Sequence, residues 1–336
     1  MASSAAETAV SLHARTSSPV REDSKACSNT TTTSSKQKLV NTSSSSSLGR
    51  SGVIISQDDS ERLGNELSSS SSSSCCILTE CCCCCLNSTN AATASSSSSS
   101  SSMDNALQFL ALTGNTLSED SNRILCVPNA GGNSVFSEVL SFELVKMLIE
   151  SLCTSIRVSL HKTEMELVYK EGSKITDMCI ALNNTVTNET ELMGCSVTRC
   201  FNFMNLEEVV SDASIKQLLK KKLSGIIDST NGVIGDQWSR QILHIWTSNM
   251  QTAQAVQRIF GNEISDELKS NTIVIITVTC AGMECIFKEK GDDAKMVMKL
   301  LGLNVEQAVD ESSVDSGEVD DDDIDNFDVF LGSITM

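Results

Sequence analysis

Apolar residues recur at helical spacing from Ser134 to Leu152, at Val135, Val139, Phe142, Val145, Met147 and Leu148. This pattern predicts a helix, with Asn133 or Ser134 as its cap. From Lys162 to Tyr169 the pattern alternates instead. Met165, Leu167 and Tyr169 fall to one side, Glu164 and Glu166 to the other, as in a strand. A turn over Lys170–Ser173 and a second strand over Lys174–Leu182 then make a hairpin. A polar loop follows, from Asn183 to Glu191, and a third strand is expected at Met193–Phe201. Leu206–Ile227 reads as a long helix, Ile242–Trp246 as a strand and Gln251–Phe260 as a helix. Thr272–Thr279 is almost wholly β-branched and predicts a strand buried on both faces. Short helices are expected at Asp104–Thr113 and Ala294–Leu303. The alternation places this chain in the α/β class, as a mixed central sheet with helices on both sides.

Composition sets limits on that domain. Residues 1–103 carry the runs Ser68–Ser74 and Ser95–Ser102 with little apolar periodicity between them. Such a segment buries too little apolar surface to offset backbone ordering, about 1–2 kcal/mol per residue. We therefore expect a disordered Ser/Cys-rich head (1–103), one folded domain (104–303) and a disordered acidic tail (304–336). The tail holds 11 acidic residues and no Lys or Arg, with Asp320–Asp323 in a row. The domain holds 24 acidic and 18 basic residues, so the net charge of −18 lies largely outside it. No overall basic footprint marks a tight nucleic-acid binder. The tail suits solubility, or recruitment of a protein partner through Phe327 and Phe330 set among Asp.

Fifteen cysteines raise the question of disulfides or metal, and their positions argue against both. Eight are in the head, five of them consecutive at Cys81–Cys85, and no apolar signal segment precedes them. The domain cysteines sit mostly in apolar stretches and form no CxxC pair. A reducing compartment follows, cytoplasm or nucleus. The Cys81–Cys85 run has the look of an acylated cysteine string, but its Ser-rich flanks favour a repetitive tract over membrane anchoring. No stretch reaches the ~18 apolar residues needed to span a bilayer.

The order helix–strand–strand–strand–helix–strand is similar to the αβββαβ core of the PD-(D/E)XK nuclease superfamily, the restriction-endonuclease-like fold. That resemblance implies a metal-dependent nuclease acting on DNA or RNA phosphodiesters, with a Glu from the first helix, an Asp from the second strand and Glu-x-Lys on the third. It implies Mg²⁺ as cofactor. Asp177, in Lys174-Ile175-Thr176-Asp177-Met178, fits the Asp position, and Glu143 or Glu138 the helix Glu. The third strand, Gly194-Cys195-Ser196-Val197-Thr198-Arg199, offers Ser-x-Thr or Val-x-Arg where Glu-x-Lys is required. Arg199 or Lys174 would then hold the phosphate, and Arg199 is no general base because it does not deprotonate. The strings GNSVFSEVLSFE, GSKITD and SVTR also resemble a eukaryotic family that brings no activity with it.

The hairpin suggests a second arrangement. A Lys170–Ser173 turn would set Glu166 opposite Asp177, with Cβ atoms about 5 Å apart, and two such carboxylates call for a cation between them. The expected metal ligands are thus Asp177 with Glu166 or Glu143. The alternative to catalysis is an inactive nuclease-fold domain that serves as a nucleic-acid or protein interaction module. Lys220, Lys221 and Lys222 form the single basic cluster, expected on an exposed helix face. His244, flanked by Ile242, Leu243, Ile245 and Trp246, is expected to be a satisfied core histidine.

Overall fold

The chain runs β1 (Gln37–Asn41), β2 (Gly52–Ser56), α1 (Gln57–Ser68), β3 (Cys75–Cys81), α2 (Glu119–Cys126), α3 (Val135–Leu152), β4 (Ile156–Thr163), β5 (Val168–Tyr169), β6 (Met178–Asn184) and β7 (Thr190–Cys200). It continues through α4 (Asp212–Gly232), β8 (Val233–Ile234), β9 (Gln241–Thr247), α5 (Met250–Glu263), α6 (Asp266–Lys269) and β10 (Thr272–Val278). These elements come from a computed structural model, which describes residues 37–41, 52–68, 74–81, 117–127, 135–279, 283–288 and 295. The expected helices at Asp104–Thr113 and Ala294–Leu303, the 129–134 loop, Cys82–Cys85 and the acidic tail lie outside the described residues, Lys295 excepted.

Eight strands form one mixed sheet in the order β1-β2-β3-β10-β9-β7-β6-β4. β3, β10, β9 and β7 run parallel, whereas β6 is antiparallel to both its neighbours. Both faces are covered, which explains why all seven residues of β9 and of β10 are buried. On one face α1, α2 and α3 pack onto Ile77, Met178, Ile180, Met193, Cys195 and Ile275. On the other, α4 and α5 pack onto Leu243, Ile245, Val274 and Ile276 through Leu219, Leu223, Val256 and Ile259. Each such Leu, Ile or Val contributes about 1.5–3 kcal/mol of burial.

The hairpin is built differently from the sequence expectation. The strand that pairs β6 is Ile156–Thr163, in a register running from Ile156↔Asn184 to Thr163↔Met178. Its apolar residues Val158 and Leu160 alternate with Arg157 and Ser159, a pattern as regular as that of Lys162–Tyr169. Glu164–Glu166 is a single 3₁₀ turn, opened by the Thr163 N–H donating to Glu166 Oε2 at 2.8 Å. Val168–Tyr169 leaves the main sheet and pairs with β8 as a separate two-stranded ribbon. The second strand starts only at Met178, so Glu166 is not the cross-strand partner of Asp177.

Two boundaries also move. α4 starts at Asp212 because Ser211 caps it, its side chain accepting from the Ser214 N–H at 3.2 Å. Leu206–Val210 therefore lies before the helix. Segments 52–68 and 75–81, assigned by composition to the head, form β2, α1 and β3 of the sheet. β3 pairs in parallel with β10 from Ile273↔Cys75 to Val278↔Glu80. Arg240, 4% exposed, fastens this unit by donating to the Glu66 carbonyl at 2.7 Å and to Glu191 Oε1 at 3.3 Å.

Candidate functional site

Asp177 stands just before β6, beside the middle of β7. Its Oδ2 accepts from the Val197 N–H at 2.6 Å, which ties the two strands at the position where the chemistry was expected. Burial lifts the Asp177 carboxyl above its ordinary range, while Lys222 on α4 and the Val197 N–H pull it back down. Lys222 is the half-buried lysine of the basic cluster, and Lys220 and Lys221 are exposed. Next along the chain, Thr176 Oγ1 shares a 2.8 Å hydrogen bond with Ser196 Oγ. Gln241, fully buried, donates Nε2 to Ser229 Oγ at 2.7 Å, to Thr230 Oγ1 at 2.8 Å and to the Ile226 carbonyl at 3.0 Å. This polar set holds the ends of β6, β7 and β9 against α4. Gly194 makes room for it: a Cβ there would meet the Gln241 and Trp238 side chains at 2.9 Å.

Of the two helix carboxylates, Glu138 and not Glu143 bears on the same group as Asp177. Glu138, on α3, is 4% exposed, and it acts together with Asp177 on the Cys195 thiol. Burial is the main cause that pushes that thiol up, and Asp177, Cys179 and Glu138 add to it. Cys195 faces the α3 side of β7, and no Glu or Lys joins it there among Ser196, Val197, Thr198 and Arg199. Sequence spacing contained this signal: Glu138 is on the face of α3 that carries Phe142 and Val145, a stripe buried against the sheet.

The remaining expected site residues lie elsewhere. Glu143 accepts from the Ser118 N–H at 2.8 Å and so fixes the start of α2. Glu166 accepts from Arg123 at 2.5 Å and from the Thr163 N–H at 2.8 Å. Those contacts, Arg123 first, hold its carboxyl below the usual range. Arg199 Nη1 donates to the Ile286 carbonyl at 3.2 Å. Lys174 is exposed, and its backbone N–H donates to Asp228 Oδ2 at 2.6 Å. Asp177, Glu143 and Glu166 therefore each serve a separate stretch of backbone. Among the described residues no three His, Cys, Asp or Glu side chains are grouped to hold one metal ion. The ligand set expected for Mg²⁺ does not fit this arrangement.

His244 is a core histidine, as expected. It is fully buried, with Nδ1 2.8 Å or less from one hydroxyl and Nε2 from another: Ser141 Oγ at 2.7 Å and Thr277 Oγ1 at 2.8 Å. Trp246 Nε1 donates to the same Ser141 Oγ at 2.8 Å, and Thr277 Oγ1 meets Thr79 Oγ1 at 2.8 Å. Burial pushes the His244 pKa down to about 3. This network joins α3, β9, β10 and β3 and is satisfied throughout. Cys75, Cys76, Cys126, Cys153, Cys179, Cys195 and Cys200 are in no disulfide, and most are buried.

Among the described residues, no helix is long and apolar enough to cross a membrane. No family model matches the sequence. The chain is similar to the "AAC-rich mRNA clone AAC4 protein" of Dictyostelium discoideum, with 39% identity over 165 residues. The match covers 48% of this chain and 22% of that protein, so the chain spans about a fifth of the relative's length.

Proposed function

We propose that this domain keeps a restriction-endonuclease-like core but has lost its metal chemistry, and works as an interaction module for a protein partner. The core reading is supported by the succession α3, β4, β6, β7, α4, β9, with the four strands adjacent in the sheet. The loss of chemistry rests on one observation: Asp177, Glu143 and Glu166 are engaged by three separate backbone N–H groups, those of Val197, Ser118 and Thr163. Half-buried Asp177 and buried Glu138 both bear on Cys195, where a nuclease of this type would carry an acid instead. Three carboxylates would make a cation site there; two carboxylates and a protonated thiol make a poor one.

A protein partner is favoured over nucleic acid by the surface. The connection from β7 to α4 exposes Phe203 by 48%, Met204 by 80% and Val209 by 47%, an apolar display that phosphate does not reward. Calorimetric titration of Mn²⁺ into the wild type and into Asp177→Asn tests the chemistry. The expected result is no discrete site in either protein. A wild-type site that Asp177→Asn removes would restore the nuclease reading. Titration with a labelled duplex, single strand and RNA at physiological salt tests the partner class. Binding no tighter than the non-specific range of about 10⁻⁴–10⁻⁶ M is expected, and tighter binding would make nucleic acid the partner.

A further inference from the structure

The sheet ends at β4, and no strand among the described residues pairs with its outer side. Alternate residues of an antiparallel strand direct both their N–H and C=O groups to the same side. The outward groups of β4 belong to Ile156, whose N–H donates to the Cys153 carbonyl at 2.9 Å, and to Val158 and Leu160. The Val158 N–H donates to Glu150 Oε1 at 2.9 Å, and the Leu160 N–H to Asp120 Oδ2 at 3.1 Å. Further along, Glu166 caps the Thr163 N–H at 2.8 Å. Arg123 grips Glu166 and also donates Nη1 to the His161 carbonyl at 3.4 Å. These four side chains come from α2, α3 and the 3₁₀ turn, three separate pieces of chain converging on one strand edge.

An open edge of this kind is a template for another strand, and folded proteins cover it. Here the covering beyond Ile156 is made by charged side chains of α2, α3 and the 3₁₀ turn. We propose that the outer edge of β4 is a pairing surface for β4 of a second copy of this chain, held shut in the monomer by Asp120, Glu150, Glu166 and Arg123.

The occupant follows from the register. Antiparallel self-pairing centred on Ser159 sets Val158 opposite Leu160 twice, once on each side of a two-fold axis. The outward N–H groups of each copy then meet the outward C=O groups of the other, which gives four backbone hydrogen bonds. Within Val158–Leu160 no Lys or Arg faces another. The two-fold closes on itself, so pairing stops at two copies. The register shift between Leu160 and Lys162 limits the ladder to Val158–Leu160, the stretch that supplies these four bonds.

The test is the mass of the full chain in solution, by sedimentation equilibrium, for the wild type and for Asp120→Ala combined with Glu150→Ala. The wild type is expected at the mass of one copy. The double variant is expected to approach twice that mass as concentration rises. Adding Ser159→Lys sets two ammonium groups across the axis, and the mass should return to one copy. A double variant that keeps native near-ultraviolet dichroism and stays at one copy overturns the proposal. So does a wild type that is already paired, or a dimer that survives Ser159→Lys. If the double variant does not fold, Glu150→Ala alone removes one cap: weaker pairing is expected, and a strict monomer counts against the proposal. Amide exchange at Val158 and Leu160 gives a second reading, with protection in the double variant expected to rise with concentration and to stay independent of concentration in the wild type.

Discussion

At the scale of single residues, two ionisable groups shifted by burial make stability depend on pH in opposite directions. Asp177 has a raised pKa, so the folded chain holds its proton more tightly than the unfolded chain does. Stability therefore falls as pH rises through that window, and at neutral pH the carboxylate is a net cost. Asp177→Asn keeps an acceptor for the Val197 N–H and removes the charge. It is expected to raise the unfolding free energy at pH 7, on the order of 1 kcal/mol, in a urea titration. A clear loss would mean that Lys222 compensates the carboxylate fully. His244 runs the other way. Its folded pKa of about 3 lies below the ordinary 6.5, so the unfolded chain binds the extra proton between those values. Stability is complete above about pH 6.5 and drains as pH falls toward 3, by at most about 4 kcal/mol from this group. Urea midpoints measured across that range should fall more steeply for the wild type than for His244→Asn.

The elements show what the sequence pattern could and could not reveal. α3, β9 and β10 were legible because each buries a stripe or run that its own residues define. The β4–β6 pair was not, because two alternating stretches lie end to end between Ile156 and Tyr169 and only one joins the sheet. The deciding feature is the Thr163–Glu166 turn, a contact three residues apart that hydrophobic pattern does not register. The site was half legible. Asp177 does lie beside the third strand, but choosing Glu138 over Glu143 depends on which side of α3 meets the sheet. Gly194 carried a further signal, a glycine in mid-strand, which marks close approach by a neighbour. Gly194→Ala pushes a Cβ into Gln241 and Trp238 at 2.9 Å and is expected to cost about 1–3 kcal/mol, read as a fall in the urea midpoint. An unchanged midpoint would show that Gln241 can move aside without loss.

For the whole molecule, the lesson is that composition misplaced the start of the domain. Ser runs surround Val53–Ile55 and Cys75–Leu78, and the average over residues 1–103 hides those short apolar strands. Ile55 and Ile77 are buried in the core together with Leu63 and Leu67 of α1. A chain starting at residue 104 loses them, uncovers the edge of β10 and strips Arg240 of Glu66. It is expected to be less stable than the full chain by at least about 5 kcal/mol, or insoluble, when compared by chemical unfolding. Equal stability would show that β3 is dispensable. The three expected metal ligands also find their explanation at this scale. Glu143 orders α2, Glu166 closes the β4 edge and Asp177 joins β6 to β7, so each is part of the framework. That is the central claim, and a cleavage assay meets it most directly. Single-stranded, duplex and branched DNA, and RNA, are incubated with the full chain and Mg²⁺ or Mn²⁺. The account expects no cleavage above buffer. Metal-dependent cleavage by the wild type that disappears in Asp177→Asn would contradict it.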